Sequence, residues 1–203
     1  MKRLGILLSG RGSNFLAIAE AIQSGQLKGI AEISVVISNV PDAPGLARAQ
    51  ELGLPTALFV SKGRKRAEHD ADVADCLREH KVDLVILAGY MRLLSPEFIA
   101  AFPNQILNIH PSLLPAFPGL DAQTQAFDYG CKVAGCTVHF VDEHLDHGVI
   151  ILQRTVPVLG TDDAHTLAER ILVEEHQAYA EAIRRVLSGQ YAIQGRRYLP
   201  VSA

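Results

Sequence analysis

Residues 83–89 read Asp-Leu-Val-Ile-Leu-Ala-Gly. After Asp83 the run is apolar at every position, and such a strand has to be covered on both faces. Helices supply that cover when apolar runs alternate along the chain with amphipathic stretches. Here they do. Residues 3–9, 32–38 and 56–60 read as strands, and 13–24, 44–52 and 66–80 as the helices between and after them. The order predicts an α/β fold: a mostly parallel twisted open sheet with helices on both faces, Rossmann-like in its N-terminal half.

The second half changes rhythm. Residues 105–110 form another strand, and prolines punctuate a loop over 111–118. Residues 132–142 and 149–157 are β-type runs joined by a short polar turn, so one antiparallel strand is expected there. Residues 163–187 read as a long amphipathic helix, capped by Thr161-Asp162-Asp163 and ended by Gly189. The 203 residues suffice for one domain, with an N-terminal half of about 1–100 and a C-terminal half of about 101–203. A net charge of −3 argues against a nucleic-acid partner, and no stretch approaches a membrane span. Three cysteines without zinc-like pairing point to a reducing compartment, the cytoplasm.

Two segments carry chemistry. The first strand ends in Ser9-Gly10-Arg11-Gly12-Ser13-Asn14. Glycines turn the backbone sharply, and the next helix offers free N–H groups and a positive dipole end to an anion. The third glycine of a dinucleotide fingerprint is missing, and no Gly-Lys-Ser/Thr follows. A phosphate seat and a plain tight turn both remain open.

The second segment is Asn108-Ile-His110-Pro-Ser-Leu-Leu-Pro115. On a strand, Asn108 and His110 face the same way. An amide can hold a developing oxyanion, and an imidazole can move a proton at neutral pH. Asp146 is the candidate acid to orient His110, since a nearby carboxylate favours the imidazolium. The competing reading has both residues tying down the next loop.

Other features are weaker. His139, His144 and His147, with Asp142, Glu143 and Asp146, make a histidine- and acid-rich stretch. It has neither a helical H-x-x-x-H nor a compact facial triad, and His139 reads as lying on a different sheet face from the turn, so no metal is expected. The loop Tyr90-Met91-Arg92-Leu93-Leu94 follows the most apolar strand and suits a flat heteroaromatic ring. The run from Lys62 to Arg66 could hold a carboxylate tail, and Glu174-Glu175-His176 reads as a solvated helix face.

Together these residues resemble the folate-dependent phosphoribosylglycinamide formyltransferase family. The likeness covers nearly the whole chain, and its most specific parts are Asn108-x-His110-Pro-Ser-Leu-Leu-Pro and Leu145-Asp146-x-Gly148. It implies that 10-formyltetrahydrofolate donates its formyl group to the amine of glycinamide ribonucleotide, with no metal. It also implies roles. Gly12, Ser13 and Asn14 bind the ribonucleotide phosphate, and Glu175 holds its glycinamide end. Arg66 meets the folate glutamate, and Met91, Arg92, Leu93 and Leu94 wall the pterin. Asn108, His110 and Asp146 are catalytic, with Asn108 also touching folate. The chain departs from the family at Arg11, over residues 120–124, at His147 between Asp146 and Gly148, and at Ala180.

The nearest alternative is formyltetrahydrofolate hydrolase, which uses a similar site with water as acceptor and usually carries an added N-terminal domain. Methionyl-tRNA formyltransferase needs a further C-terminal domain and a basic surface. A dinucleotide-dependent oxidoreductase would want a ribose-binding acid where Ser38-Asn39 stands. A non-catalytic phosphate-ligand sensor would need only Gly12–Asn14. Nothing in the sequence separates a monomer from a homodimer.

Overall fold

The computed structural model describes residues 1–201. It forms two compact units, Met1–Asn108 and Ile109–Ala203. In the first, strands β1 (Lys2–Leu8), β2 (Ala31–Ser38), β3 (Thr56–Leu58), β4 (Leu84–Leu87) and β5 (Ile106–His110) lie in the order β3-β2-β1-β4-β5. Every pairing among them is parallel. The expected strands and helices are present, with ends moved by one or two residues. The chain winds outward from β1 to β3, then returns to place β4 on the other side of β1. Right-handed crossovers in opposite directions put their helices on opposite faces. Accordingly α1 (Ser13–Gln23) packs with α2 (Pro44–Glu51), and α3 (Arg66–Glu79) packs with α4 (Pro96–Ala101). All four residues of β4 are buried, as a strand covered on both sides requires.

The direction changes between β1 and β4, and ligands bind beyond the carboxyl ends of strands at such a point. Those ends are tied together by polar contacts. Ser9 Oγ donates to Asn39 Oδ1 at 2.6 Å and accepts from Met91 N at 2.8 Å, while Ser9 N donates to the Gly89 carbonyl at 3.0 Å.

In the second unit the expected antiparallel pair is β6 (Val133–Phe140) with β7 (Ile150–Pro157). The pairing slips by one residue between Val138 and His139. Helix α6 (Ala164–Leu187) packs across both strands and against α5 (Ala122–Asp128). Its N-terminus is a capping box: Asp163 accepts from Thr166 N at 2.7 Å, and the Asp163 N–H donates to Thr166 Oγ1 at 2.9 Å.

Four elements lack a counterpart among the expected ones. Helices α4 and α5 have only six and seven residues, too few for a periodic signal. Strands β8 (Tyr191–Gln194) and β9 (Arg197–Pro200) form a hairpin closed by Gly195-Arg196, with Gly195 at φ 61. The unit's order is β6-β7-β9-β8. No helix among the described residues is long and apolar enough to cross a membrane.

The cysteines are all free thiols. Cys136 is fully buried, and burial, helped by the charge of Glu175, pushes it up to about 12. Burial also raises Cys76, which is nearly covered, whereas Cys131 is half-buried. A thiol-disulfide reagent is therefore expected to modify Cys131 first in the native protein and all three cysteines only after unfolding. Fast native reaction at Cys136, read by peptide mapping, would contradict its burial.

Candidate functional site

In the first unit, Gly12 is the N-cap residue of α1 and has φ 74, a left-handed conformation that suits glycine. No side chain caps the helix there, and a helix start carries the positive end of the dipole. Gly45, at the start of α2, lets the two loops meet: its N–H donates to the Gly10 carbonyl at 2.9 Å, and a Cβ there would stand 3.1 Å from Gly12 Cα. Only the packed structure reveals this requirement, because Gly45 lies far from the loop in sequence. Asn14 is buried, Ser13 half-buried and Arg11 exposed.

The loop after β4 is anchored by a carboxylate that sequence reasoning missed. Asp70, 1% exposed on α3, accepts from Ser95 N at 2.6 Å and lies 3.8 Å from Arg92 Nε. His69, also buried, reaches Asp70 through Nδ1 at 3.0 Å and the Phe59 carbonyl through Nε2 at 2.8 Å. So Arg92 and Leu94 are held inward, while Met91 and Leu93 stay exposed. Arg66 opens α3 and is exposed; its neighbour Arg64 is already paired with Asp72 at 2.7 Å.

β5 carries the amide and the imidazole at alternate positions, Asn108 half-buried and His110 buried. In the second unit, His110 Nδ1 lies 3.4 Å from Asp146 Oδ2, and Nε2 lies 2.8 Å from the Phe117 carbonyl. Each ring nitrogen thus faces an oxygen acceptor, and only the imidazolium donates from both. Asp146 sits in a left-handed conformation, φ 49, and its Oδ2 also accepts from Gly119 N at 2.8 Å. The loop after His110 is pinned onto β6. Thr137 Oγ1 donates to the Ser112 carbonyl at 2.7 Å and accepts from Leu114 N at 3.0 Å.

His139 corrects one expectation. It shares the face of Thr137 on β6, and its Nε2 comes within 3.9 Å of Asp146 Oδ1. Asp146 therefore has an imidazole on either side, beside the pairing slip at Val138/His139. Bulges of this kind recur next to active sites. Nδ1 of His139 reaches the Phe140 carbonyl at 2.8 Å, which leaves Nε2 of the neutral ring as a lone pair. Burial lowers the proton affinity of His139, outweighing the Phe140 carbonyl and the Asp146 charge, which raise it. An unfolded histidine titrates near 6.5, so below that pH the unfolded chain binds more protons and stability falls until the lowered folded value is passed. Urea unfolding should show wild type losing more stability than His139→Gln between about pH 7.5 and about pH 5.5. Equal losses would remove His139 from the account.

Glu175 corrects another. It is 7% exposed, not part of a solvated face, and its charge acts on Cys136 beneath α6. The 3.6-residue period aims it at the sheet along with Ile171, Ala178 and Tyr179.

An α/β scaffold with an uncapped helix start at its strand-order switch, and an imidazole beside a carboxylate at a strand end, has the make-up of an enzyme. The chain belongs to the formyl transferase family: that family, described as "Formyl transferase", matches residues 2–183. Its structure is similar to glycinamide ribonucleotide transformylase 1 from Symbiobacterium toebii, with 49% identity over 100% of this chain and 95% of that one and a TM-score of 0.95. It is 43% identical over 189 residues to the trifunctional purine biosynthetic protein adenosine-3 of Drosophila melanogaster, covering 93% of this chain but 14% of that protein. A formyltetrahydrofolate deformylase from Pseudomonas syringae pv. tomato is 27% identical with a TM-score of 0.90, over 99% of this chain and 66% of its own.

Proposed function

We propose that this protein transfers the formyl group of 10-formyltetrahydrofolate to the amine of N1-(5-phospho-β-D-ribosyl)glycinamide, releasing tetrahydrofolate, as a step of de novo purine synthesis. The observation that carries the reading is the 49% identity to a glycinamide ribonucleotide transformylase over nearly the full length of both chains. Both substrates are small molecules, and no nucleic acid or membrane is involved. Free thiols at Cys76, Cys131 and Cys136 fit a reducing cytoplasm.

The residues present suit each part of the reaction. First-turn N–H groups of α1 at Gly12, Ser13 and Asn14 bind the ribonucleotide phosphate, where the helix dipole favours negative charge. Glu175 holds the glycinamide end. Arg66 meets the folate's glutamate carboxylates, and Met91, Arg92, Leu93 and Leu94 receive its pterin, the exposed apolar chains of Met91 and Leu93 being covered on binding. The amine attacks the formyl carbon, and the carbonyl oxygen gains negative charge. Asn108 and protonated His110 donate hydrogen bonds to that oxygen. The departing folate nitrogen takes its proton from His110, beside the Asp146 carboxylate, and the proton that the attacking amine loses passes to His110 in turn and restores it. For that transfer the Phe117 carbonyl must give up Nε2 to the substrate. The residues act by positioning and electrostatics, without a covalent intermediate on the protein.

Hydrolysis is the second reading, supported by the likeness to the deformylase. The test mixes the protein with 10-formyltetrahydrofolate and follows deformylated folate by absorbance, with and without glycinamide ribonucleotide. Release only with the ribonucleotide supports transfer. Equal release without it means water is the acceptor. No release in either mixture defeats both readings.

A further inference from the structure

The turn between β6 and β7 carries two imidazoles that the transfer reaction does not use. Asp142, His144 and His147 each present a ligand-competent atom, all within 4.8 Å of one another. Asp146 is not one of them, because its carboxylate turns toward Gly119 N and His110. The turn is wound about the Asp142 carboxylate: Oδ1 accepts from His144 N at 3.0 Å, and Oδ2 lies 2.9 Å from His147 Nδ1. The two rings stand 5.1 Å apart, centroid to centroid.

A cationic side chain stands against one member of this cluster. Arg196, from the β8–β9 turn, places Nη1 3.0 Å from His147 Nδ1 and 2.8 Å from Nε2. Its Nη2 donates to the His147 carbonyl. Nη1 is nearly equidistant from the two ring nitrogens, so the guanidinium lies against the imidazole ring rather than along one lone pair. Arg196 is exposed.

We propose that Asp142, His144 and His147 form a binding site for one first-row divalent ion of the zinc type, with Arg196 holding the cation position in the ion-free protein. Two imidazole nitrogens and one carboxylate oxygen suit such an ion, whereas magnesium and calcium prefer all-oxygen sets. Zinc bonds of about 2.0–2.2 Å require the three donors to draw together by roughly 1 Å or more, and water completes the tetrahedron. His144 and His147 are exposed and Asp142 is half-buried, so side-chain rotation suffices. The ion takes no part in formyl transfer, and the proposal stands apart from that reading.

The test is equilibrium dialysis of the untagged full-length protein against zinc chloride, paired with a cobalt(II) titration read by visible absorption. One ion per chain is expected, with cobalt bands of a nitrogen–oxygen site and no thiolate charge-transfer band. His144→Ala and His147→Ala should each weaken binding at least about tenfold, and excess magnesium should not displace zinc. Arg196→Ala should tighten binding several-fold by removing the competing cation. Circular dichroism confirms that each variant is folded. Absent stoichiometric binding, unchanged zinc affinity in the His144→Ala/His147→Ala double variant, or a cobalt–thiolate band would overturn the site. An Arg196→Ala affinity no tighter than wild type would overturn the place-holding role.

Discussion

Replacing His110 by alanine is expected to lower kcat by about a thousandfold, with little change in the KM for the ribonucleotide. The side chain is 5% exposed at the end of β5, with Asp146 3.4 Å from Nδ1. In the proposed mechanism it acts on charge and a proton that develop only as the amine attacks. A group used only in the transition state lowers kcat and kcat/KM together when removed. In the same proposal the phosphate is read elsewhere, by the α1 N-terminus, so ground-state binding of the ribonucleotide is expected to survive. Asp146→Asn keeps the shape of the side chain and its acceptor oxygen for Gly119 N, but loses the negative charge beside His110 Nδ1. Its loss should be smaller, about tenfold to a hundredfold. Because the two residues act as a unit, the double variant should fall little below His110→Ala. Steady-state kinetics with each substrate varied decides the matter. An active His110→Ala enzyme would leave Asn108 and substrate positioning as the whole of the catalysis.

Gly148→Ala is expected to cost more than about 3 kcal/mol of stability, which lowers Tm by roughly 10 °C in a chain of this size. The reason is a close backbone approach. A Cβ at residue 148 would stand 1.7 Å from the Phe140 carbonyl oxygen and 2.7 Å from its carbon. Backbone atoms in a paired strand cannot step aside as a flexible side chain can. Phe140 is held there by its own N–H, which donates to the Val149 carbonyl at 2.9 Å. Relief therefore requires the turn to open, and the turn positions Asp146. Activity should fall along with stability, even at temperatures where the variant remains folded. Thermal unfolding checks the first effect, and assay well below Tm checks the second. A variant as stable as wild type would show that the turn relaxes freely. The glycine of the Leu145-Asp146-x-Gly148 pattern thus has a steric cause that its spacing alone does not disclose.

The comparison between chain and structure follows the reach of each physical signal. The apolar run of residues 83–89, the 3.6-residue period of α6 and the Thr161-Asp162-Asp163 caps before it are local patterns, and each marks the element it predicts. The candidate site is legible in the sequence in part, as the alternation of Asn108 and His110 and the glycines before α1. Short elements escaped. The six-residue α4 rests on one cap, Ser95 Oγ accepting from Phe98 N at 3.2 Å, and the C-terminal hairpin on a two-residue turn.

What the sequence by itself determined was the kind of fold, its winding and the residue types brought to the chemistry, because hydrophobic period, caps and turns act within a few residues. Only the tertiary structure decided which groups meet. It brought Asp146 to His110 across more than thirty residues with His139 close by, made Asp70 the anchor of the loop after β4, and turned Glu175 into the interior. It also drew Asp142, His144 and His147 into one cluster facing Arg196. Contacts of that kind depend on strand register, a slipped pairing and backbone close approach, which no local pattern encodes.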